Sequence, residues 1–159
     1  MIVLDTDHLP VLKYHDSLLS RILERKLDAA REPIFTSIVS IEEQLRGWLS
    51  FIKSQSNVTR LVDAYRELEI ALHFSHAFRV VPFDLPSAET FAALKRQRIR
   101  IGTQDLKIAA MVLANDATLL SRNLKDFSKV PGLKVQNWLE WQRGPRFNLG
   151  SSPEEAPSP

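Results

Sequence analysis

The stretch Ile34-Phe35-Thr36-Ser37-Ile38-Val39-Ser40-Ile41-Glu42-Glu43-Gln44-Leu45 changes its period halfway. Ile34 to Ser37 is a short β-type run. From there apolar residues recur at helical spacing, with Ile38, Ile41, Leu45, Trp48, Leu49 and Ile52 on one face. Ser40 and Glu43 have the spacing of a capping box, and Ser37 is a competing N-cap. A strand that hands over directly to an amphipathic helix is half of a βαβ unit.

The rest of the chain repeats this grammar. Upstream, Ile2-Val3-Leu4 is an apolar run ended by Asp5-Thr6-Asp7. Downstream, Leu61 to Phe78 has helical spacing, with Leu61, Tyr65, Leu68, Ala71 and Leu72 as its stripe. Val80 to Phe83 is a strand, Ser87 to Gln97 and Asp105 to Asn115 are helices, and Thr118 to Ser121 is a fourth strand. Lys134-Val135-Gln136 fits a short edge strand. Strands separated by helices predict an α/β fold with a mainly parallel sheet of four or five strands, covered on both faces. Ligands bind such sheets at the carboxyl ends of the strands, so the polar residues just after each strand are the candidates.

Composition narrows the function classes. At 159 residues, 44% hydrophobic and 25% charged, the chain suits one globular domain with a real core. It has no cysteine, which excludes disulfide scaffolds, thiolate zinc sites, iron–sulfur clusters and a cysteine nucleophile. Lys and Arg number 21 against 19 Asp and Glu, so a net +2 gives no strong steering field. No apolar run approaches the roughly 20 residues needed to span a membrane. Met1-Ile2-Val3-Leu4-Asp5 lacks a basic region and meets an acid early, unlike a secretory leader, so the cytoplasm is the expected compartment. Residues 144–159 are dominated by Pro, Gly and Ser and read as a flexible tail behind a domain of residues 1–143.

Four acidic or amide positions fall at comparable points. Asp5 follows the first strand. Glu42 and Glu43 lie in the first turns of the helix after the second. Glu42, four residues after Ile38, points toward the apolar stripe, and Glu43 is the capping-box partner of Ser40. Asp105 opens a helix that is apolar nearly all round (Leu106, Ile108 to Leu113) and that Thr103 can cap. Asn123 and Asp126 follow the fourth strand. Each alone suits an ordinary capping or dipole role. Converged carboxylates repel one another and raise each other's pKa, and a cation among them relieves this. Oxygen ligands select a hard ion, Mg²⁺ or Mn²⁺. That combination serves hydrolysis of phosphodiesters by an activated water.

Leu4-Asp5-Thr6-Asp7-His8, Ser37 to Gly47, Gly102 to Ala110 and Leu119 to Phe127 together resemble the ordered motifs of PIN-domain proteins, of the VapC-like toxin ribonuclease type, from Ile2 to about Trp138. The resemblance implies a three-layer α/β/α sandwich and a Mg²⁺-dependent endoribonuclease. It maps the catalytic set to Asp5, Glu42, Asp105 and Asn123. Asp5, Glu42 and Asp105 would hold the metal, with Asp126 reaching it through a water, because Asn123 stands where the family often has an Asp and brings no charge. It also implies a homodimer and a small antitoxin whose C-terminal segment covers the site. RNA would be steered by basic residues, foremost Arg46, Arg98, Arg100 and Arg122, which equally suit solvated helix faces. His8 is a candidate proton carrier or a turn residue. Two other readings stay open. One is a phosphatase of the haloacid dehalogenase type, from Asp5-Thr6-Asp7 with Lys125. The other is a PIN-like binding module without catalysis, suggested by Asn123.

Overall fold

The computed structural model describes residues 1–13 and 17–140. The expected tail, residues 144–159, lies outside them. The elements run β1 (Ile2–Leu4), α1 (Leu9–Lys13), α2 (Leu18–Ala30), β2 (Ile34–Ser37), α3 (Ile38–Ser54), α4 (Val58–Ser75), β3 (Arg79–Val81), α5 (Leu85–Arg96), α6 (Thr103–Ala114), β4 (Thr118–Leu120), α7 (Leu124–Phe127) and β5 (Lys134–Gln136). Helices α1 and α2 are additional to those expected. The edge strand is present.

All four strand pairings are parallel, in the order β3-β2-β1-β4-β5. Alternation along β1 fixes the layers. Val3, with Leu119 of β4, packs into one core with Val39, Leu94, Leu106, Ile108 to Val112 and Phe127. Ile2 and Leu4, with Leu120, face a second core with Leu9, Leu12, Leu23 and Leu27, flanked by Phe74 and Phe78. Helices α3, α5, α6 and α7 therefore cover one face and α1, α2 and α4 the other. This is the expected three-layer α/β/α sandwich. Helix α6 is apolar nearly all round because it is enclosed; Ile108 to Val112 are fully buried.

The strand order matters for function. The chain builds outward from β1 to β3, then returns to add β4 and β5 on the other side of β1. The crevice between the carboxyl ends of β1 and β4 is thus the topological switch point, where open parallel sheets take their ligands.

One expectation fails in a way that bears on the site. The stripe Ile38, Ile41, Leu45, Trp48, Leu49 and Ile52 is not the buried face of α3. Ile38 is 43% exposed and Leu49 60%. The buried positions are Val39 and Ser40. Helix α3 thus buries only its first turn, through Val39 and Ser40, and turns its apolar stripe away from the core. Its cap is Ser37, whose Oγ accepts from Ser40 N at 2.8 Å, so no Ser40–Glu43 capping box forms.

Candidate active site

Asp5 sits one residue beyond β1 and is buried. Its amide donates to Leu120 O at 3.0 Å, which extends the β1–β4 pairing past the strand ends. Its carboxylate is held at both oxygens: Oδ1 accepts from Thr6 N at 2.8 Å and Oδ2 from Ser121 Oγ at 2.6 Å. Burial pushes this carboxyl up to about 6, with repulsion from Asp7 and Asp105 adding to it; the two hydrogen bonds resist the rise.

Asp105 lies in the first turn of α6 and is half-buried. Desolvation raises its carboxyl, and repulsion from Glu43, Asp126 and Asp7 raises it further. Thr103 does not cap the helix as expected: it is the first helical residue, and the N-cap is Gly102, which offers no side-chain bond. Gly102 instead gives room. A Cβ there would lie 3.2 Å from Asp105 Oδ2, closer than ordinary contact.

Of the two adjacent glutamates, the structure brings Glu43 to this cluster. Thr6 Oγ1 donates to Glu43 Oε2 at 2.5 Å, and Glu43 is close enough to Asp105 to raise its carboxyl. Glu42 stands on the exposed face. It accepts from Gln104 Nε2 at 3.0 Å and pairs with Arg46 one turn on. The Gln104 bond and then Arg46 hold its carboxyl below the usual range. The expectation that Glu42 points inward is thus corrected, for the reason given above: its stripe is the outer one. Two signals point the other way. Glu43 lies four residues after buried Val39, and Glu42 with Arg46 has the spacing of a surface ion pair.

Asn123 and Asp126 do come to the cluster. Asn123 Nδ2 lies 3.3 Å from both Asp105 Oδ2 and Asp126 Oδ2, donating toward each. Asp126 is also bound by Lys129 Nζ at 2.5 Å, and these contacts keep its carboxyl low. Asp7 is fully engaged: Oδ1 meets His8 Nδ1 at 2.7 Å and Oδ2 accepts from Arg122 N at 2.8 Å. These bonds tie Asp7 to the turn after β1 and to the loop after β4. His8 is buried with Nε2 unpaired, a positioned turn residue rather than a solvent-facing proton carrier. Arg46, Arg98, Arg100 and Arg122 are all exposed. Arg46 is engaged with Glu42, and Arg122 reaches the cluster through its backbone.

The donor set is carboxylate oxygen on Asp5, Glu43 and Asp105, with Asp126 behind Asn123. Among the described residues no three His, Asp or Glu side chains converge tightly enough to hold an ion between them unaided. Mg²⁺, which keeps several waters and takes one or two carboxylates directly, does not require a closed cage of three. Burial first, and then repulsion between the acids, raises the carboxyls of Asp5 and Asp105, and a bound cation would offset both.

Comparison with known proteins bears on the family and the fold. The family model of the PIN domain matches residues 2–133. Ribonuclease VapC2 of Rickettsia felis is 40% identical over 126 residues, covering 79% of this chain and 87% of that one. Ribonuclease VapC1 of the same organism is 40% identical over 62 residues, a stretch that spans only 46% of that relative. Among solved structures, VapBC2 from Rickettsia felis, bound to a DNA fragment from its promoter, superposes with a TM-score of 0.63 at 22% identity, over 87% of this chain and 99% of that one. DNA-bound VapBC from Salmonella typhimurium gives 0.65 at 20%, over 86% and 97%. At those identities the structural likeness is one of fold.

Proposed function

The chain belongs to the PIN domain family, and from that premise we propose that it is a divalent-metal-dependent endoribonuclease, the toxin of a toxin–antitoxin pair. The observation that carries this reading is the acidic cluster at the β1–β4 switch point: Asp105 lies within electrostatic reach of Glu43 and Asp5, and Thr6 bonds both Asp5 and Glu43. It is supported by the ribonuclease names of its relatives and by the fold of the VapBC complexes.

Asp5, Glu43 and Asp105 would hold the ion, with Mg²⁺ the leading candidate and Mn²⁺ a substitute. When bound, it supplies a water of lowered pKa and charge stabilisation at the scissile phosphate. The chain's own side chains do the positioning. Ser121 and the Thr6 amide fix both oxygens of Asp5. Thr6 Oγ1 fixes Glu43. Asn123 spans Asp105 and Asp126, taking the place of a fourth carboxylate without its charge. Hydrolysis adds water across the P–O bond: phosphorus gains a hydroxyl oxygen, and the leaving sugar oxygen takes a proton. Exposed Arg98, Arg100 and Arg122 suit phosphate contacts along the strand.

The partners follow the same reading: RNA as substrate, and a small antitoxin that covers the site. A homodimer is supported by the apolar side chains that α3 and α4 expose, Leu49 at 60%, Val58 at 77% and Val62 at 55% among them. Among the described residues no helix is long and apolar enough to cross a membrane, and we place the activity in the cytoplasm with its RNA.

The test is cleavage of a mixed RNA pool by the purified chain, with Mg²⁺ or Mn²⁺ and with EDTA. Cleavage that needs metal and is lost in Glu43→Gln supports the enzyme. RNA binding without cleavage under any divalent ion supports instead the binding module that Asn123 raises.

A further inference from the structure

Beside the acid cluster lies a pocket of about 150 Å³ that the mechanism above does not use. It shares one residue with the cluster, Thr6, whose amide and hydroxyl hold Asp5 and Glu43. The pocket therefore adjoins the acid cluster. Its walls are Trp48 from α3 and Phe74 from α4, and Ala71 leaves the space between them. Phe74 is fixed edge-to-face against Phe78, with centroids 5.0 Å apart. Lys13 sits over the indole of Trp48, 5.4 Å from its centroid, and is held there by Glu67 at 2.8 Å. Gln44 completes the lining, and among the described residues its amide makes no side-chain hydrogen bond. An aromatic face beside a cation is what holds successive bases of a single strand. A free amide offers one donor edge and one acceptor, the pair needed to read a base.

We propose that this pocket is a nucleobase subsite, which takes one unpaired base of the RNA next to the bond being cut, stacks it on Trp48 and reads its edge with Gln44. This rests on the ribonuclease reading for its ligand. An apolar side chain of a protein partner would fit the walls, but it would give the Gln44 amide nothing to bond. The observations favour the base.

The test measures binding separately from cleavage. Short single-stranded oligoribonucleotides are titrated into full-length Asp105→Asn protein, with one abasic residue stepped along the strand. At one position the missing base should weaken binding about tenfold, the size of one base–aromatic stack. Adding Ala71→Leu, which fills the pocket without removing a polar group, should weaken the intact strand by a similar factor and erase that position's penalty. Gln44→Ala should narrow the spread among the four bases there. An abasic penalty that persists unchanged with Ala71→Leu overturns the proposal. So does an Ala71→Leu protein that binds RNA normally and loses only its protein partner. The two readings fail differently. Metal-dependent cleavage with no position-specific penalty removes the subsite and keeps the nuclease; a position-specific penalty without cleavage by the parent chain does the reverse.

Discussion

Ser121 Oγ donates a 2.6 Å hydrogen bond to Asp5 Oδ2, joining the ends of β4 and β1 across 116 positions of sequence. The same oxygen accepts from Asn123 N at 3.0 Å, so one hydroxyl sets both the first acid and the loop that carries Asn123. Ser121→Ala leaves a buried carboxylate and an amide without this partner. Urea denaturation should show a loss of about 1–3 kcal/mol, the cost of stranding buried polar groups. A change below about 0.5 kcal/mol, the size of an ordinary surface substitution, would show that water replaces the hydroxyl freely.

The two glutamates should separate in a cleavage assay. Glu43 contacts Thr6 and faces Asp105, whereas Glu42 sits with Gln104 and Arg46 outside the cluster. Glu43→Gln should therefore lose cleavage by roughly 100-fold or more, as expected when a group that holds the reacting site is neutralised. Glu42→Gln should retain activity within a few-fold and stability within about 0.5 kcal/mol. A dead Glu42→Gln enzyme beside an active Glu43→Gln would return the second acid to Glu42.

The contrast between these neighbours marks how far the sequence could be read. Asp5 and Asp105 were legible because each stands where a short or enclosed apolar run stops, and three or four residues fix that junction. The sheet was legible for the same reason. Glu43 was not, because α3 shows its longest apolar stripe to the outside, and periodicity reports a face without saying what covers it. Helix α1 was hidden by its length: five residues are too few to show a period. The bridging role of Asn123 was also out of reach, since it depends on 3.3 Å contacts to two carboxylates that only the tertiary fold brings together.

That bridge predicts a graded loss. Asn123→Ala frees Asp105 and Asp126 to drift, yet removes no charge. Its cleavage rate should fall about tenfold, in the range found when a group that orients a ligand is removed. Asp105→Ala should fall much further. Equal losses in the two variants would mean that the amide touches substrate or the reacting water directly.

Asp5 should make the metal-free protein sensitive to pH. Its folded carboxyl lies at about 6, above the ordinary 3.8, so between those values the native state holds a proton that the unfolded chain has lost. Stability in EDTA should then be greatest in the acid part of this window and fall as pH rises through 6, by about 2–3 kcal/mol from this group alone. The lowered carboxyls of Glu42, Asp84, Asp116 and Asp126 act in the opposite sense but are screened by solvent. Urea midpoints at pH 4 and 7.5, for wild type and Asp5→Asn, span most of the window and isolate the Asp5 contribution. If both proteins lose stability equally, Asp5 is not the source.

The last prediction joins charge to metal. Asp105 has three acidic neighbours, Glu43, Asp126 and Asp7, and its N-cap Gly102 makes no side-chain bond. In EDTA its charge should therefore work against the fold. Asp105→Asn keeps the shape and removes the repulsion, so it should be more stable than wild type by about 0.5–2 kcal/mol, the usual scale of stability held back at a functional site. Millimolar Mg²⁺ should reverse or narrow the order, because wild type gains RT ln(1 + [L]/Kd) from binding and the variant gains less. Four melting curves decide it: each protein with EDTA and with Mg²⁺. A variant less stable than wild type in EDTA would make Asp105 a helix-dipole acid whose charge α6 needs. Curves that do not move with Mg²⁺ for wild type would remove the metal from the cluster, and the proposed hydrolysis would lose its source of an activated water.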